Sequence, residues 1–105
     1  MIAELLWQGK ENAISTQDLL TISGLRSART MQGIIERERA NGALILSTSK
    51  NGGGYYLPSD GEKGRMELLE FESTLKSRAL NTLKTLGNVR RALDRAEAQQ
   101  MALEE

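Results

Sequence analysis

The run Ser27-Ala28-Arg29-Thr30-Met31-Gln32-Gly33-Ile34-Ile35, closed by Asn41-Gly42 and followed by Leu44-Ile45-Leu46 and Gly52-Gly53-Gly54-Tyr55-Tyr56-Leu57-Pro58, decides how this chain is read. Met31, Ile34 and Ile35 recur at helical spacing, Ser27 stands where a hydroxyl can cap the first turn, and Asn41-Gly42 supplies a left-handed stop. The two β-prone runs that follow flank a polar tip with Lys50, Asn51 and three consecutive glycines, which predicts a β-hairpin with a flexible end.

Upstream, Ile14 precedes Ser15-Thr16-Gln17-Asp18, an N-cap signature that opens a helix carrying Leu19, Leu20 and Ile22 and stopping at Gly24. Before it, Ile2, Leu5 and Leu6 predict a short first helix ending at Gly9, with Trp7 expected to cap the core. The order is helix, helix, turn, helix, hairpin, with residues 1–58 as one domain. Turn chemistry at residues 59–64 marks a linker and helix cap, where Ser59 and Glu62 are spaced as a capping box. From residue 65 to the frayed end at 105 a long amphipathic helix is expected. Its strip runs through Leu68, Phe71, Leu75, Ala79, Leu86, Val89, Leu93, Ala96 and Leu103, with Thr82 or Leu83 filling the gap. The fold class is mainly α with a small β-hairpin wing.

Composition narrows the function. The chain has 105 residues, 39% hydrophobic and 4% aromatic, too few rings for a deep ligand pocket. Lys+Arg 14 balance Asp+Glu 14, so no bulk positive field advertises a polyanion and any such binding rests on local patches. No His and no Cys means no disulfide, no thiolate or imidazole metal site, and no Ser-His-Asp or Cys-His machinery. The three glycines lack a following Gly-Lys-Ser/Thr, and Asp60 with Glu62 lacks calcium-loop spacing. No enzyme, cofactor or small-molecule substrate is expected. Neither a signal peptide nor an apolar run of about 18 residues is visible, which predicts a cytoplasmic protein of a bacterium or phage-infected cell.

With those residues in view, the segment Ser27-Ala28-Arg29-Thr30-Met31, then Ile35, Arg39 and Gly42, and the ending Gly53-Gly54-Tyr55-Tyr56-Leu57 resemble the winged helix-turn-helix domains of the biotin-repressor and DeoR-like type. Small phage-encoded helix-turn-helix proteins with a long C-terminal helix look similar as well. The resemblance covers residues 1–58 well and the remainder loosely. It implies a third helix in the major groove, a hairpin beside the backbone, and double-stranded DNA as partner. Gln32 and Gly33 depart from it where two bases are frequent, and Glu38 where an apolar residue is usual.

The residues argue for DNA on their own account too. Arg26, Arg29, Arg37, Arg39 and Lys50 stand against Glu36 and Glu38, a local excess of three positive charges in a neutral chain. Arg29, Gly33 and Arg37 share a helical face opposite Met31 and Ile35. Arg29 and Gln32 can pair with base edges, while Ser27 and Thr30 suit phosphates, and Lys50 and Asn51 lie at the hairpin tip. Arg37 and Arg39, flanked by acids, read first as a solvated face and otherwise as phosphate contacts, and Gly33 reads either as room for a phosphate or as a tolerated glycine.

A second basic stretch has Lys76, Arg78, Lys84, Arg90, Arg91 and Arg95 against Asp94. It reads first as the solvated face of a coiled coil, and otherwise as a second phosphate-contacting surface or a docking face for an acidic partner. If helical, residues 62–103 would extend about 60 Å, more than the first domain can cover. Leu68, Leu69, Phe71 and Leu75 are then expected to pack on the three-helix core, while Leu86, Val89, Leu93, Ala96 and Leu103 form a homodimerisation seam. The expected function is a dimeric phage or mobile-element transcriptional regulator. A protein-protein adaptor and a replication or packaging organiser are the alternatives.

Overall fold

In the computed structural model, which describes residues 1–104, the chain is mainly helical with one small antiparallel hairpin. Three α-helices, α1 (Thr16–Ser23), α2 (Ala28–Ala40) and α3 (Gly61–Glu104), flank strands β1 (Leu46–Thr48) and β2 (Gly54–Tyr56). The expected second and third helices are thus α1 and α2. Glu105, the end of the expected long helix, lies outside the described residues.

Local chemistry sets the ends of α1 and α2. Ser15 Oγ accepts the Asp18 N–H at 3.1 Å, and Ser27 Oγ accepts the Thr30 N–H at 3.3 Å. Gly24 at φ +75° stops α1, and Gly42 at φ +100° turns the chain out of α2. Leu19, Met31 and Ile35 are fully buried and meet Ile2, Leu6 and Ile45 in one cluster, with Ile34 at its margin. Ile22, by contrast, is exposed.

The expected first helix is a single 3-10 turn, Ala3–Leu5, followed by extended backbone at Leu6. A buried carboxylate explains it. Glu38, only 5% exposed in the last turn of α2, accepts the Ile2 N–H at 2.8 Å and the Ala3 N–H at 3.1 Å. The first free donors of the turn are therefore satisfied by a negative group from another helix. The extended segment then runs along the outer edge of β2: Leu57 N–H donates to Trp7 O and Gly9 N–H to Leu57 O, each at 2.8 Å. Ile14 and Tyr55 exchange two bonds of 2.9 Å. Alternation along extended backbone turns Leu6 inward and Trp7 outward, so Trp7 is 66% exposed and does not cap the core.

The strands also differ from expectation. β1 begins at Leu46 because the Ile45 carbonyl is taken by Arg39 Nε at 2.7 Å, and Leu44 is exposed. Leu46 pairs with Tyr56, Ser47 with Tyr55 and Thr48 with Gly54. Tyr56 is buried and Tyr55 half-buried, as the strand period requires. Gly54 is not part of a loose tip: it is buried, and a Cβ there would stand 2.7 Å from the Ile14 carbonyl oxygen.

Two compact units divide the chain, Met1–Phe71 and Glu72–Glu105. The first unit takes in the opening turns of α3, and their packing corrects the expectation for Leu68 and Leu69, which are exposed. Gly64 and Glu67 are buried instead, with Phe71 half-buried under the Arg39 guanidinium, 5.0 Å from its ring centre. Glu67 accepts the Lys10 N–H and the Ser59 N–H, both at 2.8 Å. The Ser59 N–H thus goes to Glu67 and not to the expected capping partner Glu62, which pairs with Arg65. Gly64 permits this approach, since a Cβ at Gly64 would lie 1.7 Å from the Ser59 carbonyl oxygen.

Burial pushes the Glu67 carboxyl up, but the N–H groups of Ser59 and Lys10 outweigh it and hold the group below its ordinary value. The Lys10 ammonium, 2.7 Å from Glu70, lowers Glu70. Lys63 lowers Glu11. A carboxyl whose folded value is depressed stabilises the fold fully above its unfolded value, about 4, and stops doing so as pH falls through the lower folded value. Unfolding stability should therefore fall on acidification below the ordinary carboxylate range. Glu67→Ala, which strands two N–H groups, should cost roughly 2–4 kcal/mol at neutral pH and flatten that acid limb in denaturant titrations. Gly64→Ala should destabilise strongly as well, whereas a chain unchanged by either substitution would contradict the described packing.

Candidate nucleic-acid interface

The outer face of α2 is built by the residues the core leaves over. Met31, Ile35 and Glu38 point into the first unit, so Arg29, Gln32, Glu36 and Arg37 lie on the exposed side with Thr30, and Gly33 is half-buried. Arg26 and Ser27, also exposed, lead into the helix. Ser27 uses its oxygen as the N-cap acceptor and keeps its hydroxyl proton for another acceptor. The structure therefore brings Arg26, Ser27, Arg29, Thr30, Gln32, Gly33 and Arg37 together on one helix and its entry. Lys50 and Asn51 stand apart from them, on the single 3-10 turn Lys50–Gly52 that joins the strands, with Asn51 in the left-handed region at φ +53°.

Two of the charges counted in the sequence are not at the outer face. Glu38 is buried beneath the N-terminal turn, and Arg39 spans from α2 to the Ile45 carbonyl and the Phe71 ring. Removing one acid and one base leaves Arg26, Arg29, Arg37 and Lys50 exposed against Glu36, so the local positive excess survives. Phosphate neutralisation is the chemistry such a face can perform.

Gly33 separates two readings by its surroundings. A Cβ added there meets nothing within 4 Å, so no packing inside the chain asks for glycine. Its effect is a shallow step in the outer face between Arg29 and Arg37.

Beyond the hairpin turn lies a groove of about 690 Å³, with Lys10, Lys50, Lys63, Met66, Leu69 and Glu70 among its lining residues. Its charges are largely matched, as Lys10 pairs with Glu70 and Lys63 with Glu11. Lys10 is raised chiefly by its bond to Glu70, and Lys50 adds to the lowering of Glu70. Among the described residues no group of three acids lies close enough to hold a metal ion, and no helix is long and apolar enough to cross a membrane.

In the second unit, taken by itself, Leu86, Val89, Leu93, Ala96 and Leu103 are all exposed. Leu75, Ala79, Thr82, Leu86, Val89, Leu93, Ala96, Gln100 and Leu103 alternate by four and three, the 3.5-residue period of a coiled-coil seam.

Sequence reasoning missed Glu38 and Glu67 as the groups that tie the first unit together. For Glu38 the signal was present, because an acid at the third place of the Met31, Ile35 stripe must be buried. Comparison with protein-family models, with curated proteins and with solved structures finds no match for this chain.

Gly33→Ala should stabilise the first unit by about 0.5–1 kcal/mol in thermal or denaturant unfolding, the ordinary gain of alanine over glycine inside a helix. A loss of stability would mean that the outer face is packed after all.

Proposed function

We propose that residues 1–58 act as a winged helix-turn-helix reader of double-stranded DNA, with α2 in the major groove and the β1-β2 hairpin beside the backbone. The observation that carries this reading is the outer face of α2: Arg29, Gln32, Gly33 and Arg37 take no part in holding the fold, yet include the side chains suited to base edges and phosphates. Support also comes from the order α1, turn, α2, hairpin within about sixty residues, and from the pairing of Ile14 with Tyr55 and of Gln8 with Leu57, which anchors the hairpin to the rest of the unit. The mechanism is occupancy of a DNA site in the cytoplasm, as in a transcriptional regulator of a phage or mobile element.

In this reading the seam Leu86, Val89, Leu93, Ala96 and Leu103 pairs with a second copy. Isolated helices are marginal in water, and a two-fold pair offers two readers to two half-sites. A second reading, an adaptor binding another protein, is favoured by one feature: Trp7, 66% exposed on a segment hydrogen-bonded to Leu57, is of the type that anchors protein interfaces.

Titration of labelled duplexes at two salt concentrations tests the proposal. Binding should weaken steeply with salt, Arg29→Ala should lose about 1–3 kcal/mol on the preferred site, and Lys50→Ala should weaken all sequences alike and lower the salt slope by about one. Absence of binding at low salt would favour the adaptor. Sedimentation equilibrium of the full chain should give a dimer, and a monomer at high micromolar concentration would exclude the seam.

A further inference from the structure

Bases in the first unit fall into two sets. Lys10, Lys63 and Arg65 are ion-paired with Glu70, Glu11 and Glu62, and Arg39 is engaged with a carbonyl and a ring. Arg26, Arg29, Arg37 and Lys50 are exposed without an ion pair among the described residues. Lys10 and Lys63, which tie the first residues to α3, are each supplied with an acid.

By that measure the second unit is unusual. Lys76, Arg78, Lys84, Arg90, Arg91 and Arg95 are all exposed, Asp94 is the one acid between residues 76 and 95, and among the described residues none of the six forms an ion pair. Arg91 bonds to the Asn88 side chain and lies over Gly87, whose Cβ would meet its guanidinium at 3.6 Å. A helix face that is merely solvated gains from opposite charges three or four residues apart. Asp94 stands three residues from Arg91 and four from Arg90 without an ion pair to either among the described residues, and Arg91 and Arg95 repeat the same sign four residues apart, which destabilises a helix by a few tenths of a kcal/mol. Lys84, Arg91 and Arg95, at i, i+7 and i+11, share one side, and Leu86, Val89 and Leu93 take the other.

We infer that the Lys84, Arg91 and Arg95 side of α3 is a second nucleic-acid surface, holding the phosphate backbone of duplex DNA without reading its sequence. It shares its ligand class with the α2 proposal but rests on its own residues. The three bases extend over about 16 Å of helix, about five phosphates of one strand. Four of the six bases are arginine, whose planar fork suits phosphate oxygens. Residues 72–104 contain no aromatic ring on which single-stranded bases could stack. Nor do they carry the aromatic anchors of a helix lying on an anionic bilayer, and the apolar seam is interrupted by the polar Thr82 and Gln100.

The test compares the full chain with Lys84→Ala/Arg91→Ala/Arg95→Ala on a labelled duplex of arbitrary sequence across a salt series, with Arg29→Ala in parallel. Circular dichroism checks the helix, which alanine should preserve or strengthen. The triple variant should weaken binding to every duplex and flatten the plot of log affinity against log salt by about 2–3 units. Arg91→Lys/Arg95→Lys should keep the parent slope. A triple variant with the parent slope overturns this surface whatever Arg29→Ala does, and a parent that binds anionic vesicles or an acidic protein but no duplex overturns it too. If the triple variant flattens the slope while Arg29→Ala changes nothing on the preferred site, the α3 surface stands and the α2 reading falls.

Discussion

Two buried carboxylates hold the first unit together. Glu38, at the end of α2, accepts the N–H groups that open the chain, and Glu67, in the second turn of α3, accepts those of Lys10 and Ser59. Each charge is taken out of water, which is costly, and each is repaid by two charge-assisted bonds to backbone donors. Because the segment between Leu6 and Ile14, extended on either side of a 3-10 turn at Lys10–Asn12, is fixed in this way, it can cover the outer edge of β2 and keep the hairpin against the core. Loss of either carboxylate would free the segment on which the position of the hairpin depends.

That arrangement also sorts the charges of a neutral chain. Several acids and bases are buried or ion-paired, and bases without an ion pair among the described residues gather on the outer face of α2, at the hairpin turn and along α3, where they outnumber Glu36 and Asp94. Overall neutrality thus coexists with strongly positive local surfaces, which is the pattern required to attract a polyanion without a general positive field.

The helices α1 and α2 were legible in the sequence because their caps, stops and apolar stripes are local features, and Ser15, Ser27, Gly24 and Gly42 act as expected. The outer face of α2 was legible for the same reason. The rest depends on contacts distant in sequence. Ile2, Leu5 and Leu6 carry a helical spacing, yet Glu38 and the edge of β2 compete for that backbone and leave one 3-10 turn. Leu68 and Leu69 appear suited to the core, but the close approach of Gly64 to Ser59 rotates α3 so that Glu67 faces inward and the leucines face out. A glycine in a helix-forming stretch reads as an interruption, and only the neighbouring carbonyl reveals its use.

Amide chemical-shift mapping during titration with a duplex tests most directly whether the surface spared by the fold is the one that binds DNA. Perturbations are expected at Arg26 to Arg37, at Lys50 and Asn51, and along Lys84 to Arg95. The carboxylate-bound amides of Ile2, Ala3, Lys10 and Ser59 should remain where they are. Shifts centred instead on Trp7 and the groove beside Met66, or no shifts at any salt concentration, would contradict it.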